Sequence, residues 1–231
     1  MSNESKEVVW PAGYMINSRA TELPNELVEA FRKIPVAVAG DCMGRSIGAI
    51  GLRPYHGTGN LCGQAITVRV RPGDNLMIHK AMMMAKAGDV IVIDGGGDLT
   101  QALMGGLMRT TALTKKFGGF VIDGAIRDLT EWAEGEMPVF ARGHTHRGPS
   151  KEGPGEINVP IACAGLAIQP GDLILGDPDG VIAIPYADAA ALLPKVLAHL
   201  EREAKIRETN VKGNADPERF NAILRAKGLP V

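Results

Sequence analysis

The chain has 231 residues, 45% of them hydrophobic, and a formal net charge of -1. This length allows one large domain or two small ones, and the hydrophobic share is ample for a sizeable core. The balanced charge gives no electrostatic case for binding nucleic acid or an acidic membrane surface, and no apolar run approaches the roughly 20 residues that span a bilayer.

The N-terminus and the cysteines indicate the compartment. The first ten residues, MSNESKEVVW, lack the basic and then apolar layout of a signal peptide. Cys42, Cys62 and Cys163 are widely spaced and contain no CxxC pair, which favours reduced core thiols over a disulfide scaffold or a zinc site. We therefore expect a cytoplasmic protein with no membrane or nucleic-acid partner.

The first third of the chain predicts an arm followed by alternating short elements. Residues 1–20 are polar and irregular, and residues 23–33 predict a helix with one apolar face. Residues 35–41 indicate a short strand or turn. Residues 62–70 alternate in polarity and predict a half-buried strand, and a helix from about 75 to 86 follows.

A repeated pattern lies at the centre of the chain, in residues 89–129. Two short β-branched runs each end in Asp-Gly, at Asp94 and at Asp123, which is typical of buried strands that stop in tight turns. Residues 100–114 between them predict a helix, with Thr100 as its N-cap. Because binding sites in open parallel sheets lie beyond the carboxyl ends of the strands, we expect the chemistry at this edge.

The last third predicts a long loop, a hairpin and a long helix. Residues 142–160 are rich in proline and glycine, and loops of this length are usually functional, disordered or packed on a neighbouring subunit. Residues 170–185 indicate a hairpin around Asp-Pro-Asp-Gly. Residues 187–209 predict an amphipathic helix, and a polar tail follows from residue 211. Together these elements favour a mixed α/β sandwich over a regular doubly wound sheet.

Several polar motifs admit a structural and a functional interpretation. The glycines at 95–97 suggest a nucleotide or sugar site, but they fail the dinucleotide fingerprint because Thr100 stands where its last glycine belongs. The pair Gly105-Gly106 fits either close packing or backbone N–H groups that face an anion. The pair Arg127-Asp128 fits either an exposed ion pair or a cation site beside a substrate carboxylate.

Two histidines in the long loop are a further open question. His144 and His146 would project from one face of an extended segment and could form a Zn²⁺ or Mn²⁺ pair. Their glycine and proline neighbours favour a plain surface loop.

Four longer stretches together carry a family resemblance. They are GDNLMIHKAMMMAKAGDVIVIDGGG, the GGLM turn, VIDGAIRDL and PGDLILGDPDGVIAIP. The chain resembles the RraA-like family, which includes the 4-hydroxy-4-methyl-2-oxoglutarate / 4-carboxy-4-hydroxy-2-oxoadipate aldolases and the regulator of ribonuclease E activity A. The resemblance covers roughly residues 35–205 in collinear order.

The resemblance implies a fold, an assembly and a chemistry. The fold is a single domain over residues 1–231, a compact α/β/β/α sandwich with mixed sheets. The assembly is a homotrimer or homohexamer with active sites between subunits. The catalytic members resemble class II aldolases, in which a divalent cation, Mg²⁺ or Mn²⁺, polarises a 2-oxo acid.

The resemblance also implies roles for individual residues. Asp128 matches the family's metal-binding aspartate, and Arg127 matches the catalytic arginine that steadies the pyruvate enolate. Glu203 matches a catalytic glutamate donated by the neighbouring subunit through the C-terminal helix. The loop whose backbone N–H groups meet the substrate carboxylate matches Gly105, Gly106, Leu107 and Met108.

One position departs from the aldolases, which carry Asp or Glu where this chain has Gly106. Loss of that base should slow aldol cleavage by about 10²–10⁴-fold, with Asp98 as a substitute to be tested. Decarboxylation of oxaloacetate needs only enolate stabilisation and should survive better. We expect a lyase that cleaves a small carboxylated 2-oxo acid to release pyruvate; the alternative is a non-catalytic regulatory binding protein.

Overall fold

The computed structural model describes residues 9–19 and 21–231, and these residues form twelve strands and seven helices. The strands are β1 (Tyr14–Ile16), β2 (Arg53–Pro54), β3 (Leu61–Val70), β4 (Val90–Asp94), β5 (Ala102–Met104), β6 (Gly119–Ile126), β7 (Val139–His144), β8 (Gly155–Ile157), β9 (Ile161–Cys163), β10 (Leu166–Ile168), β11 (Leu173–Asp177) and β12 (Gly180–Ile184). The helices are α1 (Asn25–Phe31), α2 (Val36–Cys42), α3 (Leu76–Met84), α4 (Gly106–Lys115), α5 (Leu129–Ala133), α6 (Ala189–Val211) and α7 (Glu218–Ala226).

The strands form a mixed sheet, as predicted. Strands β3, β4, β6 and β7 run parallel to one another in that order. Strand β8 joins the free side of β3 antiparallel, and β1 pairs parallel with β8 beyond it. The predicted hairpin is also confirmed, because β11 and β12 pair antiparallel on either side of the Asp-Pro-Asp-Gly turn.

Strand β3 belongs to two sheets and creates the sandwich. Its first residues, Leu61 to Gln64, pair with β11, whereas Ala65 to Arg69 pair with β4. The chain therefore passes from one sheet to the other within a single strand. Both faces of β3 are covered, and only Arg69 is exposed along it, so the prediction of a half-buried strand is wrong.

Side-chain alternation along the strands separates the layers. Val90 and Val92 of β4 belong to the core between the two sheets, and Ile91 and Ile93 belong to the core beneath α3 and α4. A third core lies between the β11–β12 hairpin and helices α1, α2 and α6. These three cores are the interfaces of an α/β/β/α sandwich, so the predicted fold is confirmed.

Two segments differ from the predictions because of contacts that are distant in sequence. Residues 35–41 were predicted as a strand or turn but form α2, whose first N–H, that of Val36, donates to Asp177 Oδ2 at 2.8 Å. The tail contains α7, which was not predicted. Among the described residues, no helix is both long enough and apolar enough to cross a membrane.

The central unit keeps its two strands but its helix begins later than predicted. Helix α4 begins at Gly106, not near Thr100, because Ala102 and Met104 pair with β6 as the short strand β5. The Thr100 hydroxyl bonds to the Asp98 carboxylate and does not cap the helix. The later start places Gly105 and Gly106 at the helix N-terminus.

Candidate active site

The strand ends that carry Asp94 and Asp123 do lie at one sheet edge, where the two residues are directly paired. The Asp123 carboxylate, however, holds the fold together. Asp123 Oδ1 accepts from Arg142 Nε at 2.5 Å, and Asp123 Oδ2 accepts from the Ala164 N–H at 2.7 Å. The arginine keeps a raised pKa because of its hydrogen bond to Asp123. With both oxygens engaged, this carboxylate is a structural group.

A pocket of about 150 Å³ lies where β5 ends, α4 begins and β6 runs into α5. This volume suits a small acid and is far below that of a dinucleotide site. The lining residues come from four separate segments: Asn75, His79, Leu103, Met104, Gly105, Leu107, Met108, Arg127, Asp128, Pro149 and Lys151. The structure therefore brings Arg127, Asp128 and the predicted turn together at one pocket.

Gly105 is required by close contacts with the turn after β6. A Cβ on Gly105 would overlap Asp128 Oδ2 and would lie 3.1 Å from Arg127 Nε. The Gly106 N–H donates to Asp128 Oδ2 at 2.8 Å, so it is already engaged. The Leu107 N–H has no acceptor within the described part of the chain, as expected in the first turn of a helix. Leu107 therefore offers the open backbone donor of this turn.

The turn that carries Arg127 and Asp128 is rigidly held. The Arg127 N–H donates to the Met104 carbonyl at 2.9 Å, and the indole N–H of buried Trp132 donates to the Arg127 carbonyl at 3.0 Å. Asp128 adopts the left-handed conformation, with φ of 61°, which is uncommon for a residue other than glycine. Strain of this kind, about 1–3 kcal/mol, concentrates at functional sites.

A residue that was not predicted from the sequence, Glu131, lies next to the pocket, beside Gly106. It lies one helical turn after Asp128, in the first turn of α5. A Cβ on Gly106 would overlap both carboxylate oxygens of Glu131. The carboxylate therefore occupies the space that a side chain at position 106 would fill. Residues three apart on a helix lie on the same face, so the spacing between Asp128 and Glu131 is the sequence signal that could have revealed it.

Glu203 does not line this pocket within one chain. It lies on α6, where its carboxylate, His199 and Asp41 place potential metal ligands within 4.8 Å of one another. Both ring nitrogens of His199 are engaged, because Arg202 donates to Nδ1 at 2.8 Å and Nε2 lies 3.2 Å from Glu203 Oε1. The predicted role of Glu203 needs a neighbouring copy of the chain and stays a prediction.

The remaining predicted polar groups also lie outside the pocket lining. Asp98 accepts hydrogen bonds from Thr100 in an exposed loop. His144 Nδ1 lies 3.3 Å from the Tyr55 hydroxyl, and His146 is exposed. In residues 9–19 and 21–231, neither histidine belongs to a cluster of three potential metal ligands.

The oxygen ligands at the pocket fit a hard divalent cation. Mg²⁺ is commonly bound by one or two carboxylates, with water and substrate completing its shell. Asp128 and Glu131 both reach the Gly105-Gly106 pair, and Asp128 uses only Oδ2 for the Gly106 N–H. Asp128 Oδ1 has no hydrogen-bond partner among the described groups, which leaves it available as a ligand.

Fold and site define a class: a four-layer α/β sandwich with a small carboxylate- and arginine-lined pocket at a helix N-terminus. The chain belongs to the RraA-like family, whose model, described as Aldolase/RraA, matches residues 27–183. A Halalkalibacterium halodurans protein named putative 4-hydroxy-4-methyl-2-oxoglutarate aldolase is 43% identical over 171 residues, which are 74% of this chain and 81% of that protein. The 4-hydroxy-4-methyl-2-oxoglutarate aldolase of Thermus thermophilus is 35% identical over 133 residues, 58% of this chain and 80% of its own length.

A solved structure supports the fold separately. Streptomyces coelicolor RraAS2, described as an unusual member of the RNase ES inhibitor RraA protein family, matches with a TM-score of 0.75. The match covers 81% of this chain and 98% of that one, at 24% sequence identity.

At the level of the family, the two relatives named as aldolases support an aldolase, which is a carbon–carbon lyase.

Proposed function

We propose that this protein is a lyase that depends on a divalent metal and cleaves a small carboxylated 2-oxo acid to release pyruvate. The observation that carries the proposal is the convergence of Arg127, Asp128 and the open Leu107 N–H on one small pocket. Cleavage of a C–C bond beside a ketone leaves an enolate, whose negative charge needs cationic donors aimed at its oxygen.

The substrate's first carboxylate would bind at the N-terminus of α4. The Leu107 N–H is open, and the helix dipole favours a negative charge there. The Arg127 side chain lies over Gly105, so its guanidinium reaches the same end of the pocket. In this position it can donate to the 2-oxo oxygen as that oxygen gains charge.

Asp128 would hold Mg²⁺ or Mn²⁺. When bound, the cation would supply positive charge next to the developing enolate. Glu131 also stands in the space that an acid at position 106 would use, so it is positioned to accept the hydroxyl proton that aldol cleavage releases. The missing acid at Gly106 is thus supplied by a residue from α5.

Pyruvate release, coupled to lactate dehydrogenase, tests the proposal. The substrates are 4-hydroxy-4-methyl-2-oxoglutarate and oxaloacetate, each with Mg²⁺ and with EDTA. Asp128→Asn is the informative variant, because an amide oxygen can still accept from the Gly106 N–H while the charge is lost. We expect EDTA to abolish release and Asp128→Asn to lower kcat by about 10²–10³-fold.

Asp98→Ala is the matched control, since it removes an exposed carboxylate outside the pocket. It should keep wild-type activity, and loss of activity in this variant would support the earlier expectation that Asp98 is the base. If neither substrate yields pyruvate above a metal-only blank, the lyase proposal fails for these substrates. The non-catalytic regulator would then be the better account, and a regulator should be indifferent to EDTA.

A further inference from the structure

The proposed lyase roles leave one side of the pocket unused. Asn75, His79 and Lys151 line it together with Arg127 and Asp128, and they come from the start of α3 and from the long loop after β7. Their side chains are an amide, an imidazole and an ammonium group. These groups suit an anion or a hydroxyl group and not an apolar ligand.

Asn75 carries a polar atom that needs a partner. Only 3% of Asn75 is exposed to solvent. Its Nδ2 donates to the Leu103 carbonyl at 3.0 Å. That bond fixes the orientation of the amide, since a carbonyl accepts only from the NH₂ side. Asn75 Oδ1 then remains buried, with no hydrogen-bond partner among the described residues. A buried acceptor without a donor is destabilising, so the amide is held in this place by the packing of α3 and by its bond to Leu103.

Lys151 is held at the pocket by its two neighbours. The Ser150 hydroxyl and the Glu152 N–H both donate to Oδ2 of buried Asp74, at 2.7 and 2.6 Å. The Asn75 N–H donates to the Ser150 carbonyl at 3.0 Å, which ties the loop to the start of α3. The backbone on both sides of Lys151 is therefore fixed. Among the described residues, its ammonium group forms no salt bridge.

His79 does not compete with Lys151 as a cation. Burial, assisted by the positive charge of Lys151, lowers the pKa of His79 below its ordinary value of 6.5. The imidazole is then mainly neutral at pH 7, and Arg127 and Lys151 are the two cations that line the pocket. Two cations at a pocket of about 150 Å³ favour a small acid with two carboxylates.

We propose that Lys151 binds the second carboxylate of a dicarboxylic 2-oxo acid. The inference deepens the proposed function and rests on it for the position of the first carboxylate. Lys151 would then select dicarboxylic over monocarboxylic substrates.

Binding measurements test the subsite without requiring turnover. The probes are 2-oxoglutarate and 2-oxopentanoate, which share a five-carbon chain and differ in the distal carboxylate. Their dissociation constants would be measured by titration calorimetry with Mg²⁺ for the wild type, Lys151→Gln and Lys80→Gln. Lys80 is an exposed lysine of α3 outside the pocket lining, so its variant controls for the loss of one positive charge.

We expect the wild type to prefer 2-oxoglutarate by at least about tenfold, the size of one charge-assisted hydrogen bond. Lys151→Gln should bring the ratio of the two constants close to one, and Lys80→Gln should leave it at the wild-type value. An unchanged ratio in Lys151→Gln, or a wild type that binds both probes equally or binds neither, would overturn the subsite.

The lyase and the subsite can fail separately. Pyruvate release with an unchanged probe ratio in Lys151→Gln would leave the lyase standing and remove the subsite. A ratio that collapses in Lys151→Gln without any pyruvate release would leave a dicarboxylate-binding site and remove the lyase.

Discussion

Replacing Glu131 by Gln should separate the two reactions of the proposed lyase. Gln keeps the size of the side chain beside Gly106 but cannot accept the hydroxyl proton. Aldol cleavage should therefore lose about 10²–10⁴-fold in kcat/KM, the usual contribution of general base catalysis. Oxaloacetate decarboxylation involves no hydroxyl proton and should fall by less than about tenfold. Because Glu131 is exposed, the free energy of unfolding should change by no more than about 0.5 kcal/mol.

Coupled pyruvate assays with both substrates, run at equal Mg²⁺, give the ratio of the two losses. Glu134→Gln is the matched control, because Glu134 ends the same short helix and is also exposed. Equal losses in the two reactions would refute the assignment as a base and would indicate a shared role, such as holding the cation. Wild-type aldol cleavage in Glu131→Gln would refute any chemical role.

A second experiment moves the proposed base from residue 131 to residue 106. In the double variant Gly106→Asp with Glu131→Ala, the space emptied at residue 131 is available to the new aspartate. We expect the double variant to cleave the aldol substrate at least about tenfold faster than Glu131→Ala alone, because a base returns to the same space. No recovery would show that the two positions are not equivalent.

Two further predictions concern stability and thiol reactivity. Burial by itself would raise the pKa of Asp74, but hydrogen bonds from Glu152, Ser150 and Leu76 outweigh it and lower the pKa below 3.8. Asp74→Asn should reduce the free energy of unfolding by about 2 kcal/mol at pH 7. Chemical denaturation should show this difference shrinking as the pH falls below 3.8, where the unfolded chain protonates Asp74 first, and vanishing once the pH passes the lowered pKa of the folded state. Burial raises the pKa of Cys62 to about 11 and also raises that of Cys163, so a thiol reagent at pH 8 should modify Cys42 first and the other two only on unfolding.

Most of the fold was predictable because its signals are local. The alternation of Val and Ile along β4 gives a period of two, and the Asp-Gly ends of β4 and β6 mark where those strands stop. The failures have a common cause in distant contacts. Val36 begins a helix because Asp177, in a hairpin more than a hundred residues later, accepts its N–H. Ala102 and Met104 extend because β6 offers an edge to pair with.

The site was predictable in part, for a similar reason. Arg127 and Asp128 are adjacent in sequence, so a family resemblance could identify them together. Asp128 has a left-handed backbone and α5, which carries Glu131, begins directly after it; this conformation leaves no mark in the sequence. Asn75 and Lys151 lie far apart in the chain and line the same pocket because buried Asp74 and the Asn75 N–H both bind the loop around Lys151.

Gly106 and Glu131 are best understood as one feature. The sequence shows a glycine where the aldolases carry an acid, which by itself indicates a lost base. In the structure the exposed Glu131 carboxylate lies where a Cβ at position 106 would be, so a side chain there would make this carboxylate move. Substitutions at residues 106 and 131 should therefore be strongly non-additive, as expected for groups that share one space. A change at residue 106 alone adds a side chain and also displaces the proposed base, so it cannot by itself measure what the glycine costs.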